Sequence, residues 1–80
     1  MTESEALKIF NKDYPKLTAT IIVDCNKYFV IIAAEDVSKL NDAIDPYYFV
    51  MKSDGSTGGF NPNDDLDTFT NPNNKVTKLI

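Results

Sequence analysis

The stretch LTATIIVDCNKYFVIIAA, residues 17–34, decides the fold. In its first eight residues Leu17, Ala19, Ile21 and Val23 alternate with Thr18, Thr20, Ile22 and Asp24. That is the period of a β-strand, written in β-branched side chains. Residues 28–34 read as a second strand, apolar on both faces. Between them Cys25, Asn26 and Lys27 make a short turn, and asparagine tolerates positive φ. The two runs predict an antiparallel hairpin.

Upstream, Thr2 and Glu5 form a capping-box pattern, and Glu3 and Glu5 place negative charge in the first turn of a helix. Ala6, Leu7, Ile9 and Phe10 supply its apolar stripe. Pro15 disfavours helical geometry at Tyr14, so the helix should end between Asn11 and Asp13.

Downstream, Val37, Leu40 and Ile44 fall at helical spacing behind Asp36. An irregular loop with a few buried apolar anchors fits residues 35–46 as well. Residues 47–52 read as a third strand, and Asp54-Gly55 as a hairpin turn. A brief fourth strand should follow over residues 57–60, weakened by Gly58-Gly59. Asn61-Pro62 has the form of an N-cap and first helical residue. Asp64, Asp65 and Asp67 would load the first turns of that helix, Leu66 and Phe69 would give it a narrow apolar contact, and Asn71-Pro72 should stop it. The expected fold is α+β: an N-terminal helix, an antiparallel meander of three to four strands and a short C-terminal helix, with the helices on one face. Residues 1–80 should form one domain, with 72–80 a flexible tail in which Val76, Leu79 and Ile80 are the groups able to dock.

Eighty residues bound the possibilities. A chain of this size buries only about 60–65% of its unfolded surface, which leaves little room for a deep cleft beside a core. The net charge is -4, with 12 acidic residues against 8 lysines and no arginine or histidine. Without a basic patch or arginine forks, binding to nucleic acid or to an anionic membrane is not expected. Each half carries six acidic residues, but residues 41–80 have three lysines against five, a net of -3 against -1, so the second half could face a basic partner; solubility alone explains it as well. A single cysteine rules out an intrachain disulfide and fits a reducing compartment. No apolar run follows the first residues, so no secretion signal is expected. Those features point to a cytoplasmic protein.

The candidates for chemistry are weak. Without histidine, Ser-His-Asp and Cys-His arrangements cannot form. Cys25 has only Lys27 near it in sequence as an activating charge. Asn61, Asn63, Asp65 and Asp67 alternate like a calcium loop, but such a loop starting at Asn61 needs glycine at 66 and glutamate at 72, where Leu66 and Pro72 stand. Glu35-Asp36 and Asp64-Asp65 are paired carboxylates of the kind that solvated loops carry. The glycine-rich residues 54–59 lack the lysine of a phosphate-binding loop. No catalytic residue, metal site or cofactor is therefore assigned, and the chain is not expected to be an enzyme.

The stronger signal is an apolar surplus on the sheet. If Leu17, Ala19, Ile21 and Val23 face the helices, the opposite face takes Ile22 and either Tyr28, Val30 and Ile32 or Phe29 and Ile31. The third strand adds Tyr48 and Val50, or Tyr47, Phe49 and Met51. Neither choice leaves the polar outer face of a solvated antiparallel sheet. Residues 36–44, the C-terminal tail, a second copy of the chain or another protein could cover it. Ile22, Tyr28, Val30, Tyr47, Tyr48 and Val50 are the candidate partner-binding residues.

The run Asp45-Pro46-Tyr47-Tyr48-Phe49-Val50-Met51-Lys52, followed by Asp54-Gly55 and Phe60-Asn61-Pro62, resembles small proteins of Gram-positive bacteria and their phages. The resemblance covers residues 45–62. It implies an accessory or structural role of phage or prophage type, virion-associated if structural, and carries over no catalytic residue. The expected function is protein–protein interaction, with another protein or by self-association. The alternative is a small acidic inhibitor or immunity-type protein that blocks a basic site on an enzyme.

Overall fold

The computed structural model describes residues 1–35 and 47–79, and the helix-or-loop question at 36–46 lies outside them. The first helix, α1, is Glu3–Asp13; Thr2 and Glu5 form the reciprocal capping box, and Ala6 and Phe10 are its buried residues. The strands are β1 (Thr18–Asp24), β2 (Tyr28–Ala34), β3 (Tyr47–Met51), β4 (Thr57–Gly59) and β5 (Lys75–Lys78). A 3-10 helix, Pro62–Asp65, leads into α2, Leu66–Phe69. The fold is α+β, with an N-terminal helix, an antiparallel sheet and a short C-terminal helix.

The sheet has five strands, in the order β4-β3-β2-β1-β5. The first four are the expected meander. The fifth corrects the reading of residues 72–80 as a flexible tail: β5 pairs antiparallel with β1, from Ile21↔Lys78 to Asp24↔Lys75. Its side chains are mostly exposed and carry no apolar period. The open hydrogen-bonding edge of β1 fixes this strand, and that edge lies some fifty residues earlier in the chain. Asn71 turns the chain into β5, its side chain accepting from the Asn73 N–H at 2.9 Å and its carbonyl from the Asn74 N–H at 3.1 Å.

A bulge in β1 corrects the assignment of faces. The β1–β2 register slips between Ala19 and Ile21, leaving Thr20 as the extra residue. The Thr20 hydroxyl donates to the Ile32 carbonyl at 3.0 Å, so this buried polar side chain is satisfied. One extra residue reverses the alternation beyond it. Leu17, Ala19 and Ile22 therefore share a face, with Phe29, Ile31, Ala33, Val50 and Tyr48, and α1 packs there through Ala6 and Phe10. Ile21 and Val23 turn to the other face, with Val30, Tyr28 and Tyr47.

The helices do not share a face either. α1 lies across the first, tied to both sheet edges: Thr77 of β5 donates to Glu3 at 3.2 Å, and Thr57 of β4 donates to Asp13 at 2.6 Å. Phe10, Tyr14 and Tyr48 pack as an aromatic cluster under its C-terminal end. Since β4 and β5 occupy opposite edges, residues 60–74 must cross the sheet to join them, and they do so over the second face. Among the described residues, no helix is long and apolar enough to cross a membrane.

Candidate partner-binding face

The second face is built in rows by the strand register. One row runs Gly58, Phe49, Val30, Val23 and Val76, from β4 to β5. The row beside it runs Tyr47, Ile32, Ile21 and Lys78. Tyr28 and Met51 pair at the other end. Val30, Cys25, Val23 and Tyr28 are buried, whereas Ile21, Ile32, Tyr47, Phe49 and Met51 are only half-buried. Gly58 is required by this packing, because a Cβ there would stand 2.8 Å from the Phe49 ring.

Residues 60–74 hold to the face through a few side chains. Phe60 packs on Tyr28, with ring centroids 5.5 Å apart, and Phe69 meets Tyr47 edge-on at 5.9 Å. The two phenylalanines touch each other at 5.6 Å. The Tyr28 hydroxyl donates to the Asp65 carboxylate at 2.8 Å. Burial, with that carboxylate as acceptor, holds the phenol protonated far above its ordinary range. The Asn74 amide donates to the carbonyls of Thr68 and Phe69 and closes the end of α2. Leu66, expected to make the apolar contact of this segment, is instead 51% exposed, and Phe60 takes that role.

A hollow of about 140 Å³ remains between this cover and the sheet, lined by Tyr28, Phe49, Met51, Phe60 and Asp65. Its walls are almost wholly apolar, with one carboxylate at the rim. From residue 53 to residue 74 the chain carries four aspartates and no lysine. Asp64 and Asp67 are exposed, while Asp65 is half-buried against Tyr28. The cover itself, residues 60–74, thus brings three aspartates and no lysine to the half-covered apolar face, whose β5 edge carries Lys78.

The six residues expected to line one partner-binding surface are divided by the sheet. Ile22, Tyr48 and Val50 lie on the α1 face, where Ile22 and Val50 are fully buried. Tyr28, Val30 and Tyr47 lie on the second face, where Tyr28 and Val30 are buried and Tyr47 is half-buried. The bulge at Thr20 caused the misassignment of Ile22. Phe49, Met51 and Phe60 went unassigned, although the alternation of Tyr47, Phe49 and Met51 was the available signal.

Cys25 is fully buried, and burial, with Asp24 and Asp65 adding to it, pushes its thiol up to about 11, the opposite of an activated nucleophile. Asn61 caps the 3-10 helix by accepting from the Asn63 N–H at 3.0 Å. Among the described residues, no group of three or more acidic or cysteine side chains is arranged to hold a metal ion. Residues 54–59 form the β3–β4 turn and β4, with Gly55 at φ 72°. Asp36 lies outside the described residues, so Glu35 is the one member of that carboxylate pair the structure places, and it is exposed.

No protein-family model, no curated protein and no solved structure matches the chain.

Proposed function

We propose that the chain is a non-enzymatic protein-interaction module whose second sheet face receives a cationic amphipathic segment of a partner protein. One observation carries the reading. The cover over that face leaves Ile21, Ile32, Tyr47, Phe49, Met51 and Phe60 only half-buried, beside a segment, residues 60–74, with three aspartates and no lysine. Apolar patches bordered by charge are the common form of a docking surface, and tyrosine, phenylalanine and methionine are enriched there. The border selects the sign of the partner's charge. This joins the interaction-module expectation to the acidic-inhibitor alternative, since Asp64 and Asp67 are exposed and could meet a basic site. An accessory role of phage or prophage type is compatible with such a module.

The test is a titration of the isotope-labelled protein with two amphipathic peptides of identical apolar pattern, one lysine-rich and one glutamate-rich. The lysine-rich peptide is expected to shift the amide signals of Tyr47, Phe49, Met51 and Phe60, and Phe49→Ser to abolish the effect. Shifts confined to the α1 face, or equal shifts with both peptides, would remove the proposal.

A further inference from the structure

We infer that residues 60–74 are a releasable cover: they lift from the second face as a unit while the sheet and the α1 core stay folded. The segment spans from one sheet edge to the other, yet none of the residues of its 3-10 helix or of α2 is buried. Its own backbone hydrogen bonds are local, Asp64 to Asn61, Thr70 to Leu66, Asn71 to Thr68 and Asn74 to Asn71. Among the described residues its one backbone bond to the ladder is the Phe60 N–H to the Tyr47 carbonyl, at its first residue. Among the described residues its other ties are through side chains: two phenylalanine rings, the hydrogen bonds of Tyr28 with Asp65 and Thr68, and a weak Asn74 contact with the Cys25 sulfur at 3.6 Å.

The other side of the sheet differs in kind. There Phe10, Phe29, Ile22, Ile31 and Val50 are all essentially inaccessible, whereas under the cover Val30 and Cys25 alone reach that level. Elements with little burial and self-contained hydrogen bonds open at lower free energy than the global transition. Release would leave both hydrogen-bonded edges, β4 and β5, in place, because among the described residues the segment joins the ladder by backbone only at its ends. It would bare Tyr28, Val30 and Val23 and turn a half-covered face into a continuous apolar row. The meaning of that change, a docking surface held partly closed until a partner competes for it, rests on the function proposed above. The opening itself does not.

Cys25 reports on it. The thiol is fully buried at the edge of the cover, beside Asn74, and it is the only cysteine in the chain. A disulfide reagent such as DTNB, applied to the whole protein at pH 8, labels it only when that site opens. Labelling is expected to depend shallowly on urea, far less than global unfolding followed by circular dichroism. Phe60→Ala should speed labelling about tenfold or more, by deleting an anchor of the closed state. Val50→Ala, on the opposite face, should lower the global midpoint and leave the labelling rate in low urea unchanged. Labelling that follows global unfolding in the wild type and in both variants overturns the inference. Shallow labelling combined with failure of the lysine-rich peptide to bind upholds the releasable cover and sinks the proposed function. Peptide binding combined with labelling that tracks global unfolding does the reverse.

Discussion

Gly58 and Gly59 are neighbours in one strand with opposite structural demands. A Cβ on Gly58 would meet the Phe49 ring at 2.8 Å, whereas a Cβ on Gly59 meets nothing within 4 Å. Gly58→Ala is therefore expected to lower stability by about 1 kcal/mol, as the ring shifts. Gly59→Ala should stay within about 0.5 kcal/mol. Urea midpoints of the two variants decide it, and equal effects would refute the packing described for Phe49. Asp24 and Lys52 form a second residue-scale device. Their ion pair at 2.6 Å joins the end of β1 to the residue after β3, and Lys52 also lies over the Phe29 ring. The hydrogen bond from Lys52, with that from the Asn26 N–H, holds the Asp24 carboxyl below the ordinary carboxylate range. A lowered folded-state pKa contributes stability above the ordinary value and loses it as pH falls through the folded one. Both side chains are partly solvated, so the contribution should be about 0.5 kcal/mol. Asp24→Asn should lower the urea midpoint slightly at pH 7, and the difference from wild type should shrink in acid. A difference that grows in acid would contradict the pairing.

At the scale of elements, β5 makes the sharpest prediction. It is four residues long and Val76 is 61% exposed, yet it caps the edge of β1 and brings Leu79 onto the α1 core. The Leu79 N–H continues the ladder by donating to the Thr20 carbonyl at 2.8 Å. Ending the chain after Asn74 should cost about 2–3 kcal/mol, from the burial of Leu79 and the lost ladder bonds. It should also promote association through the bared edge of β1. Calorimetry and light scattering on the truncated chain test both halves, and an unchanged melting temperature would show that β5 contributes nothing. Local signals were legible where they were local. The capping box of α1, the β1–β2 turn with Asn26 at φ 72° and the Asp54-Gly55 turn all stand where residue chemistry put them. The strand β5 was not legible, because the hydrogen-bonding edge that orders it lies elsewhere in the chain.

At the scale of the whole molecule, charge and cover act together. If Asp64 and Asp67 border the docking face, Asp64→Asn and Asp67→Asn should each weaken binding of the lysine-rich peptide a few-fold at low salt, and the difference should vanish near about 0.5 M salt. Asp65→Asn should act differently, loosening the cover through Tyr28 and speeding Cys25 labelling. Calorimetric titrations at two salt concentrations separate the cases; equal salt dependence in all three variants would refute the division of roles among these aspartates.

The sequence by itself determined the class of the fold. Alternating β-branched runs, turn residues and a capped amphipathic helix are short-range physics, and they specify α+β with an antiparallel meander. It also carried the surplus of apolar side chains on the sheet. Only the tertiary structure decided which of those side chains share a face. Thr20 inserts one residue into β1, and with a period of two a single insertion sends Ile21 and Ile22 to the opposite sides from those simple alternation predicts. Only the tertiary structure showed the crossing of residues 60–74 over the second face, since that path follows from the placement of β4 and β5 at opposite edges. Placement of that kind is settled by pairing between distant strands, which no window of neighbouring residues contains.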